Sequence, residues 1–285
     1  MLDQGVVPAG GAILELGSQN LRGLSGEGAF LRHFIGFVRE KAGLPPITIP
    51  HSDLVSLCDG GKMSRLMEFC GFEYRALDIF SDDKVLLFDL NLHDLPADLT
   101  GAFDLVTNFG TTEHVFDQVR AFRVIHDATK SGGVMYHDVP MGGYFHHGYF
   151  NYTPLFFRHL AMANDYDVVF DFYSRSKERM QVSPSMAKNG YGRGHYRDAA
   201  IEFAFRKIVD APFRMPLDIG SGLGLDKSTW GRDVPYRVID GAKAIGESAR
   251  RSLLDDVYRA FWLLMIRSGR KRLLARLRSL LRWAS

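Results

Sequence analysis

The sequence has little of what disulfide-stabilised, zinc-ribbon or membrane-spanning proteins depend on. Only two cysteines, Cys58 and Cys70, occur among its 285 residues, so neither a disulfide framework nor a CxxC metal pattern is present. No apolar run approaches the roughly 20 residues that a membrane helix needs. The first residues lack the basic and apolar regions of a signal peptide. We therefore expect a cytoplasmic protein in a reducing environment.

Acidic residues are absent from the last part of the chain. Eight basic side chains and no acidic one follow Asp256, so the net charge of +2 conceals an acidic body in residues 1–256. An acidic body argues against the phosphate backbone of a nucleic acid as partner. The basic segment also carries apolar residues at helical spacing: Leu273, Leu277, Leu280, Leu281 and Ala284. This pattern predicts a basic amphipathic helix that either contacts an anionic membrane surface peripherally or packs on the body.

Short apolar runs alternate with stretches of helical periodicity from residue 12 to residue 206. Continuous apolar runs favour buried parallel strands, and a period near that of a helix turn favours helices. The predicted strands are 12–16, 72–77, 85–89, 103–108, 134–138, 167–173 and 200–206, and the predicted helices are 26–42, 62–70, 116–129 and 153–163. The last two strands follow each other without a helix, which predicts a closing antiparallel hairpin whose connection is the polar segment 174–198.

These elements predict an α/β fold with helices on both faces of the sheet. We expect a Rossmann-like seven-stranded, mostly parallel sheet with the closing hairpin, followed by a C-terminal basic helical tail. The expected domain covers residues 1–210, with an insertion at about 21–61. Residues 211–241 are expected to form a linker or ordered loop, and residues 242–285 the tail.

Several short motifs occur at the ends of the predicted strands. Glu15 and Gly17 close the first strand within ELGSQN, and Asp78 closes the second. The sequence TEHV (112–115) follows the fourth strand, and KSGG (130–133) precedes the fifth. This ordered set resembles the class I S-adenosylmethionine-dependent methyltransferases over residues 10–207. Together with HHGYFNYTPLFF (146–157), it also resembles a bacterial group of methyltransferases associated with surface-glycan and secondary-metabolite pathways.

The resemblance implies that S-adenosylmethionine is the cofactor and S-adenosylhomocysteine the product. In that family the first strand's acidic residue and glycine turn approach the methionine part, and the second strand's acidic residue binds the ribose hydroxyls. Residues after the third strand contact adenine, and the end of the fourth lies near the transferable methyl group. The implied cofactor-binding residues are Glu15, Gly17, Ser18, Gln19, Asp78, Ile79, Asp89, Leu90, Asn108, Phe109 and Gly110.

Four histidines are candidates for taking a proton from the acceptor, because an imidazole titrates near neutral pH. His114 is either catalytic or a helix-entry residue bonded to backbone, and His137 is either catalytic or a core histidine. The pair His146 and His147 lies in a glycine- and aromatic-rich loop and is expected to contact substrate.

Four residues in the range 113–146 have side chains that could bind a metal ion. Histidine and carboxylate ligands suit several divalent ions. Glu113, His137, Asp138 and His146 offer such groups, but no spacing singles them out, so we predict no metal.

The expected function is methyl transfer from S-adenosylmethionine, to an oxygen of a small molecule or glycan precursor. The alternative is a catalytically inactive binding or scaffold protein with the same fold. It is motivated by Ser18, Gln19 and Asn20, which stand where the family's turn has further glycines. A dinucleotide-dependent oxidoreductase is disfavoured, because the first turn lacks GxGxxG.

Overall fold

The computed structural model describes residues 10–21, 24–181 and 195–217, with side chains described outside 172–197. The strands are β1 (Ala12–Leu16), β2 (Glu73–Asp78), β3 (Val85–Leu87), β4 (Phe103–Phe109), β5 (Thr129–Gly142), β6 (Tyr166–Gln181) and β7 (His195–Lys207). The helices are α1 (Gly28–Lys41), α2 (His51–Cys58), α3 (Met63–Cys70), α4 (Gln118–Ala128) and α5 (Pro154–Asn164).

The strands form a seven-stranded sheet in the order β3-β2-β1-β4-β5-β7-β6. Strand β2 pairs in parallel with both β1 and β3. Strand β7 pairs antiparallel with both β5 and β6. The predicted α/β, Rossmann-like, mostly parallel sheet with a closing antiparallel hairpin is therefore confirmed.

The described residues fall into two compact units. The amino-terminal unit comprises residues 10–89, with the gap at 22–23, and 103–105. The carboxyl-terminal unit comprises residues 90–102 and 106–217, with the gap at 182–194. Among the described residues, no helix combines the length and the apolar character needed to cross a membrane. The predicted helical tail, 242–285, and most of the predicted linker lie outside the described residues.

In the amino-terminal unit, buried apolar side chains hold β1, β2 and the helices together. Leu14 and Leu16 of β1 are fully buried, and Leu16 is in register with Leu77 of β2. The buried side chains of α1 recur at helical spacing: Phe30, Leu31, Phe34, Ile35 and Val38. Helix α3 ends at Gly71, which adopts the left-handed conformation that glycine accepts without strain. Helices α1 and α3 match the predicted helices, whereas α2 was not predicted.

In the carboxyl-terminal unit, side-chain caps set the helix starts and aromatic rings fill the core. The Asp117 carboxylate accepts from the Arg120 N–H at 2.9 Å at the start of α4. The Thr153 hydroxyl accepts from the Phe156 N–H at 3.2 Å at the start of α5. Both are standard N-cap bonds. The largest fully buried side chains of this unit are Phe157, Phe203 and Phe205.

Three strands of this unit are longer than predicted. Strand β5 begins at Thr129, so the KSGG motif (130–133), which was expected to precede the strand, lies inside it, with Gly132 at a φ of +83°. Strands β6 and β7 continue into the polar segment 174–198, where Arg179 pairs with Arg197. Backbone ladder bonds do not require apolar side chains, so a polar hairpin extension carries no hydrophobic pattern.

Candidate functional site

The turn after β1 has one position that requires glycine. Gly17 has a φ of +74°, and its N–H donates to the Leu77 carbonyl at 2.8 Å. A side chain at such a φ is strained, whereas glycine is not. Ser18, Gln19 and Asn20 are not among the positive-φ residues, so the backbone of this turn demands no further glycine.

Glu15 lies at the carboxyl end of β1 and is fully buried. Its Oε2 accepts from the Tyr74 hydroxyl and from the Gln19 N–H, the latter at 3.0 Å. Its Oε1 has no hydrogen-bond partner among the described residues. Burial raises the pKa of Glu15 to about 7, although the hydrogen bonds from Tyr74 and Gln19 oppose the rise. A buried acceptor without a partner suits a donor supplied by a ligand.

Asp78 ends β2, the parallel neighbour of β1. Its Oδ2 accepts from the Ser18 N–H at 2.8 Å, and its Oδ1 accepts from the Phe80 N–H at 3.0 Å. An ionised carboxylate has about four lone-pair positions, so each oxygen can accept another hydrogen bond. Ile79 and Phe80 are 61% and 73% exposed, which leaves apolar surface beside this carboxylate.

These observations fit the methionine and ribose parts of S-adenosylmethionine. Glu15 Oε1 offers an acceptor for an ammonium group, and Asp78 offers acceptors for a vicinal diol. Both carboxylates lie at the carboxyl ends of parallel strands, where sheets of this type bind ligands. The structure therefore brings four predicted residues together in the amino-terminal unit: Glu15, Ser18, Gln19 and Asp78. The half-buried Asp89 belongs to the same unit.

The other predicted cofactor residues belong to the carboxyl-terminal unit, and most of their side chains are buried. Leu90 is buried, and the Phe109 ring lies edge-on to Tyr136 with centroids 5.0 Å apart. The buried Asn108 amide donates to Thr112 Oγ1 at 2.8 Å and accepts from the Thr112 N–H at 3.1 Å. The Asn108 and Phe109 side chains are thus used within the unit's interior. Gly110, with a φ of +69°, is half-buried.

Three side chains of the carboxyl-terminal unit converge on one point. Glu113 and His114 belong to the 3₁₀ turn Thr112–His114, and His147 belongs to the loop after β5. His147 Nε2 lies 3.4 Å from Glu113 Oε1. The His114 and His147 rings are edge-on with centroids 4.6 Å apart. One ligand atom from each of the three residues lies within 4.8 Å of the others. We call these three residues the Glu-His-His cluster.

Glu113 is held rigidly in this cluster. Its carbonyl accepts from the Tyr149 N–H at 2.7 Å and from the Phe150 N–H at 3.3 Å, so the loop after β5 is bonded directly onto it. Its side chain is 1% exposed, and Oε2 has no hydrogen-bond partner among the described residues. Burial raises the pKa of Glu113 to about 7. Gly148 permits this close approach, because a Cβ there would lie 2.8 Å from Glu113 Cγ.

The four candidate histidines have different surroundings. His114 and His147 are exposed members of the cluster. The pKa of His114 is lowered, first by partial burial of its ring and then by the neighbouring His147. His146 is exposed and is not part of the cluster. His137 is 1% exposed, and its ring packs against Phe122, Phe157 and Phe205.

The burial of His137 favours the core alternative over the catalytic one for this residue. Its Nδ1 lies 3.2 Å from Asn108 Nδ2, and burial lowers its pKa to about 3. A ring enclosed in this way remains neutral and does not reach a substrate, which agrees with the core alternative.

Three features of the two sites could not be identified from the sequence. Tyr74 supplies a hydrogen bond to Glu15, and its only signal is a polar-tipped aromatic residue on a buried strand. Glu113 forms a cluster with His114 and His147, whereas the sequence offered it as a possible ligand beside His137, Asp138 and His146. The positive φ of Gly148, +71°, has no sequence signal beyond the residue type.

Comparisons with known proteins agree with the family expected from the motifs. Residues 57–177 match the family model described as a methyltransferase domain. The matched segment includes Asp78, Asp89 and the Glu-His-His cluster, and it begins after Glu15 and Gly17. No curated protein gives a significant match.

Solved structures similar to this chain include two methyltransferases. One is 1,6-didemethyltoxoflavin-N1-methyltransferase from Burkholderia thailandensis, solved with 1,6-didemethyltoxoflavin and S-adenosylhomocysteine. It is 11% identical with a TM-score of 0.38, over 73% of this chain and 74% of that chain. The other is an S-adenosylmethionine-dependent methyltransferase from Mesorhizobium loti. It is 13% identical with a TM-score of 0.34, over 72% of this chain and 100% of that chain. Similarities of this size do not identify an acceptor. The match of residues 57–177 to the methyltransferase-domain model supports a class I methyltransferase.

Proposed function

We propose that this protein transfers the methyl group of S-adenosylmethionine to an oxygen of a small molecule or glycan precursor. The observation that carries the proposal is Glu15, a fully buried carboxyl group whose Oε1 lacks a partner among the described residues. It lies one residue before the end of β1, and Gly17 follows at a φ of +74°. A nucleotide-type ligand at the carboxyl ends of β1 and β2 would supply the missing donor.

The residues of the amino-terminal unit would hold the cofactor through its polar groups. Glu15 would accept a hydrogen bond from the ammonium group of the methionine part, and Asp78 would accept from the two ribose hydroxyls. The exposed side chain of Ile79 would contact the adenine ring. Bound S-adenosylmethionine would supply a methyl group that is activated by the positively charged sulfur.

The acceptor side of the reaction is proposed for the carboxyl-terminal unit. An acceptor hydroxyl must lose its proton near the transition state of methyl transfer. The Glu-His-His cluster offers two exposed imidazoles beside a buried carboxyl group. The lowered pKa of His114 keeps that ring neutral at physiological pH, as a proton acceptor requires. Phe116 and Tyr149, exposed and with ring centroids 6.4 Å apart, would contact a ring of the acceptor.

Calorimetry with S-adenosylhomocysteine on the full chain tests the cofactor assignment. We expect the wild-type protein to bind, and Asp78→Ala to weaken binding by about a hundredfold or more, since two hydrogen bonds to a charged group are lost. Asp83→Asn is the matched control, because Asp83 is an exposed carboxylate near the same strand. An absence of binding at millimolar ligand, or equal affinities for the two variants, would refute the proposal.

The inactive alternative makes a different prediction. A scaffold protein would bind the cofactor product without turning over any acceptor, and its motivation was the missing glycines. The backbone at Ser18, Gln19 and Asn20 has no positive φ, so these side chains cause no strain in the turn. Transfer of a labelled methyl group to any member of a panel of hydroxylated acceptors would exclude the inactive alternative.

A further inference from the structure

We propose that the Glu-His-His cluster binds a divalent transition-metal ion. Two imidazoles and one carboxylate form the donor set of many zinc and non-haem iron sites. All three residues belong to the carboxyl-terminal unit, and their ligand atoms already lie within 4.8 Å of one another.

The distances within the cluster are close to those that one ion imposes. Nitrogen and oxygen ligands bind such ions at about 2.0–2.2 Å, so two ligand atoms on one ion are separated by about 3–4 Å. His147 Nε2 and Glu113 Oε1, 3.4 Å apart, already meet this condition. His114 and His147 are exposed, so rotation of their side chains can bring the remaining distance into the same range.

The burial of the Glu113 carboxyl group indicates a cation site rather than a chance cluster. A carboxyl group that is 99% buried, with Oε2 lacking a hydrogen-bond partner among the described residues, is an expensive group to keep in a protein. Tyr149 and Phe150 donate hydrogen bonds to the Glu113 backbone carbonyl, which fixes the position of the residue. A bound cation would compensate the buried negative charge, and a fixed carboxylate would bind it without reorganisation.

The donor set also selects the kind of ion. Mg²⁺ and Ca²⁺ prefer sites made of oxygen ligands, whereas imidazole nitrogen suits Zn²⁺, Fe²⁺, Co²⁺ and Ni²⁺. Three protein ligands leave at least one coordination position open, as in catalytic rather than structural zinc sites. The exposure of both histidines leaves that position accessible to a ligand from solvent.

Binding of the ion stands on these contacts alone, whereas its use in methyl transfer rests on the proposed function. A histidine nitrogen bound to the ion cannot also accept a proton, so in the metal-bound protein the ion would replace His114 in that role. It would lower the pKa of a bound acceptor hydroxyl, whose proton would pass to water. The oxygen would then form a bond to the methyl carbon while the methyl–sulfur bond breaks. The products are the methyl ether, S-adenosylhomocysteine as a neutral thioether, and one proton.

Titration of the full, chelator-treated chain with Co²⁺ tests the site, with visible absorption as the readout. We expect the wild-type protein to bind the ion and to develop a cobalt spectrum. We expect His114→Asn, His147→Asn and Glu113→Gln each to weaken binding by about tenfold or more. His146→Asn is the matched control, because His146 is exposed in the same loop but lies outside the cluster.

The histidine variants keep the test valid if Glu113→Gln fails to fold, since both histidines are exposed and their loss removes no core packing. The proposal is overturned if the wild-type protein develops no cobalt spectrum, or if His146→Asn weakens binding as much as His147→Asn. Calorimetry with S-adenosylhomocysteine on the chelator-treated protein separates the two proposals. Cofactor binding without cobalt binding overturns the metal site alone, and cobalt binding without cofactor binding overturns the proposed function alone.

Discussion

Replacement of Gly148 by alanine should destabilise the protein for two separable reasons. The φ of Gly148 is +71°, which costs a side chain about 1–2 kcal/mol. A Cβ would also lie 2.8 Å from Glu113 Cγ and 2.9 Å from the Glu113 carbonyl oxygen. That carbonyl is bonded to the N–H groups of Tyr149 and Phe150, so it cannot move freely. Relieving the overlap should cost about 1–3 kcal/mol more.

Gly132 is the matched control for this substitution. Its φ is +83°, and a Cβ there would have no atom within 4 Å. Gly132→Ala therefore carries the backbone penalty without the overlap, and the effect of alanine on the unfolded chain is the same in both variants. We expect urea unfolding to show Gly148→Ala to be less stable than Gly132→Ala by about 1–3 kcal/mol. Equal stabilities would show that the loop does not lie against Glu113 as described.

Two further predictions concern buried titratable groups. Tyr74→Phe removes the hydroxyl that donates to Glu15. The pKa of Glu15 is about 7 in the folded state, against 4.5 in the unfolded chain. The contribution of Glu15 to the free energy of unfolding is therefore complete below pH 4.5 and is lost as pH rises through about 7. The lost hydrogen bond should therefore cost about 2–3 kcal/mol near pH 8.5, where the carboxylate is charged, and about 1 kcal/mol near pH 5, by urea unfolding. A cost independent of pH would contradict this reasoning. Burial, and then the nearby Lys207 charge, lower the pKa of His126 from 6.5 to about 4. Its contribution to stability is thus complete above pH 6.5 and is lost as pH falls towards about 4. His126→Gln cannot take up this proton and should reduce the loss of unfolding free energy between about pH 7 and pH 4.5 by up to about 3 kcal/mol. An acid limb as steep as that of the wild type would refute this assignment.

The sequence predicted those elements whose burial imposes a pattern. Strand β1 is a continuous apolar run, and α1 repeats its buried residues at helical spacing, so both were found near their true bounds. Helix α2, His51–Cys58, follows a proline and buries only Leu54, Leu57 and Cys58, all in its last five residues, so it shows little helical period. The outer parts of β6 and β7 are polar and are held by ladder bonds, which leave no apolar pattern in the sequence.

The two candidate sites differ in how far the sequence could locate them. Glu15 and Asp78 stand at strand ends, and parallel neighbours in a sheet bring such ends to one edge. The Glu-His-His cluster depends instead on the loop after β5 folding back onto Glu113. That contact requires the positive φ of Gly148 and two backbone hydrogen bonds, neither of which has a periodic signal. The sequence therefore supplied the residue types of the cluster but not their convergence.

The glycine-poor turn after β1 is the main sequence feature that argues against cofactor binding. The backbone conformation of the turn weakens that argument. A glycine is needed where φ is positive or where a side chain would block a ligand. In this turn only Gly17 meets the first condition, at a φ of +74°. Ser18 and Gln19 use their N–H groups to donate to Asp78 and Glu15, at 2.8 Å and 3.0 Å, so these two positions fix the orientation of both carboxylates. For Ser18, Gln19 and Asn20 the remaining question is whether their side chains block a ligand. That question concerns ligand access rather than the stability of the turn. Ser18→Gly is then expected to leave the turn intact, and any gain in affinity for S-adenosylhomocysteine would measure how much space the side chain takes from the ligand.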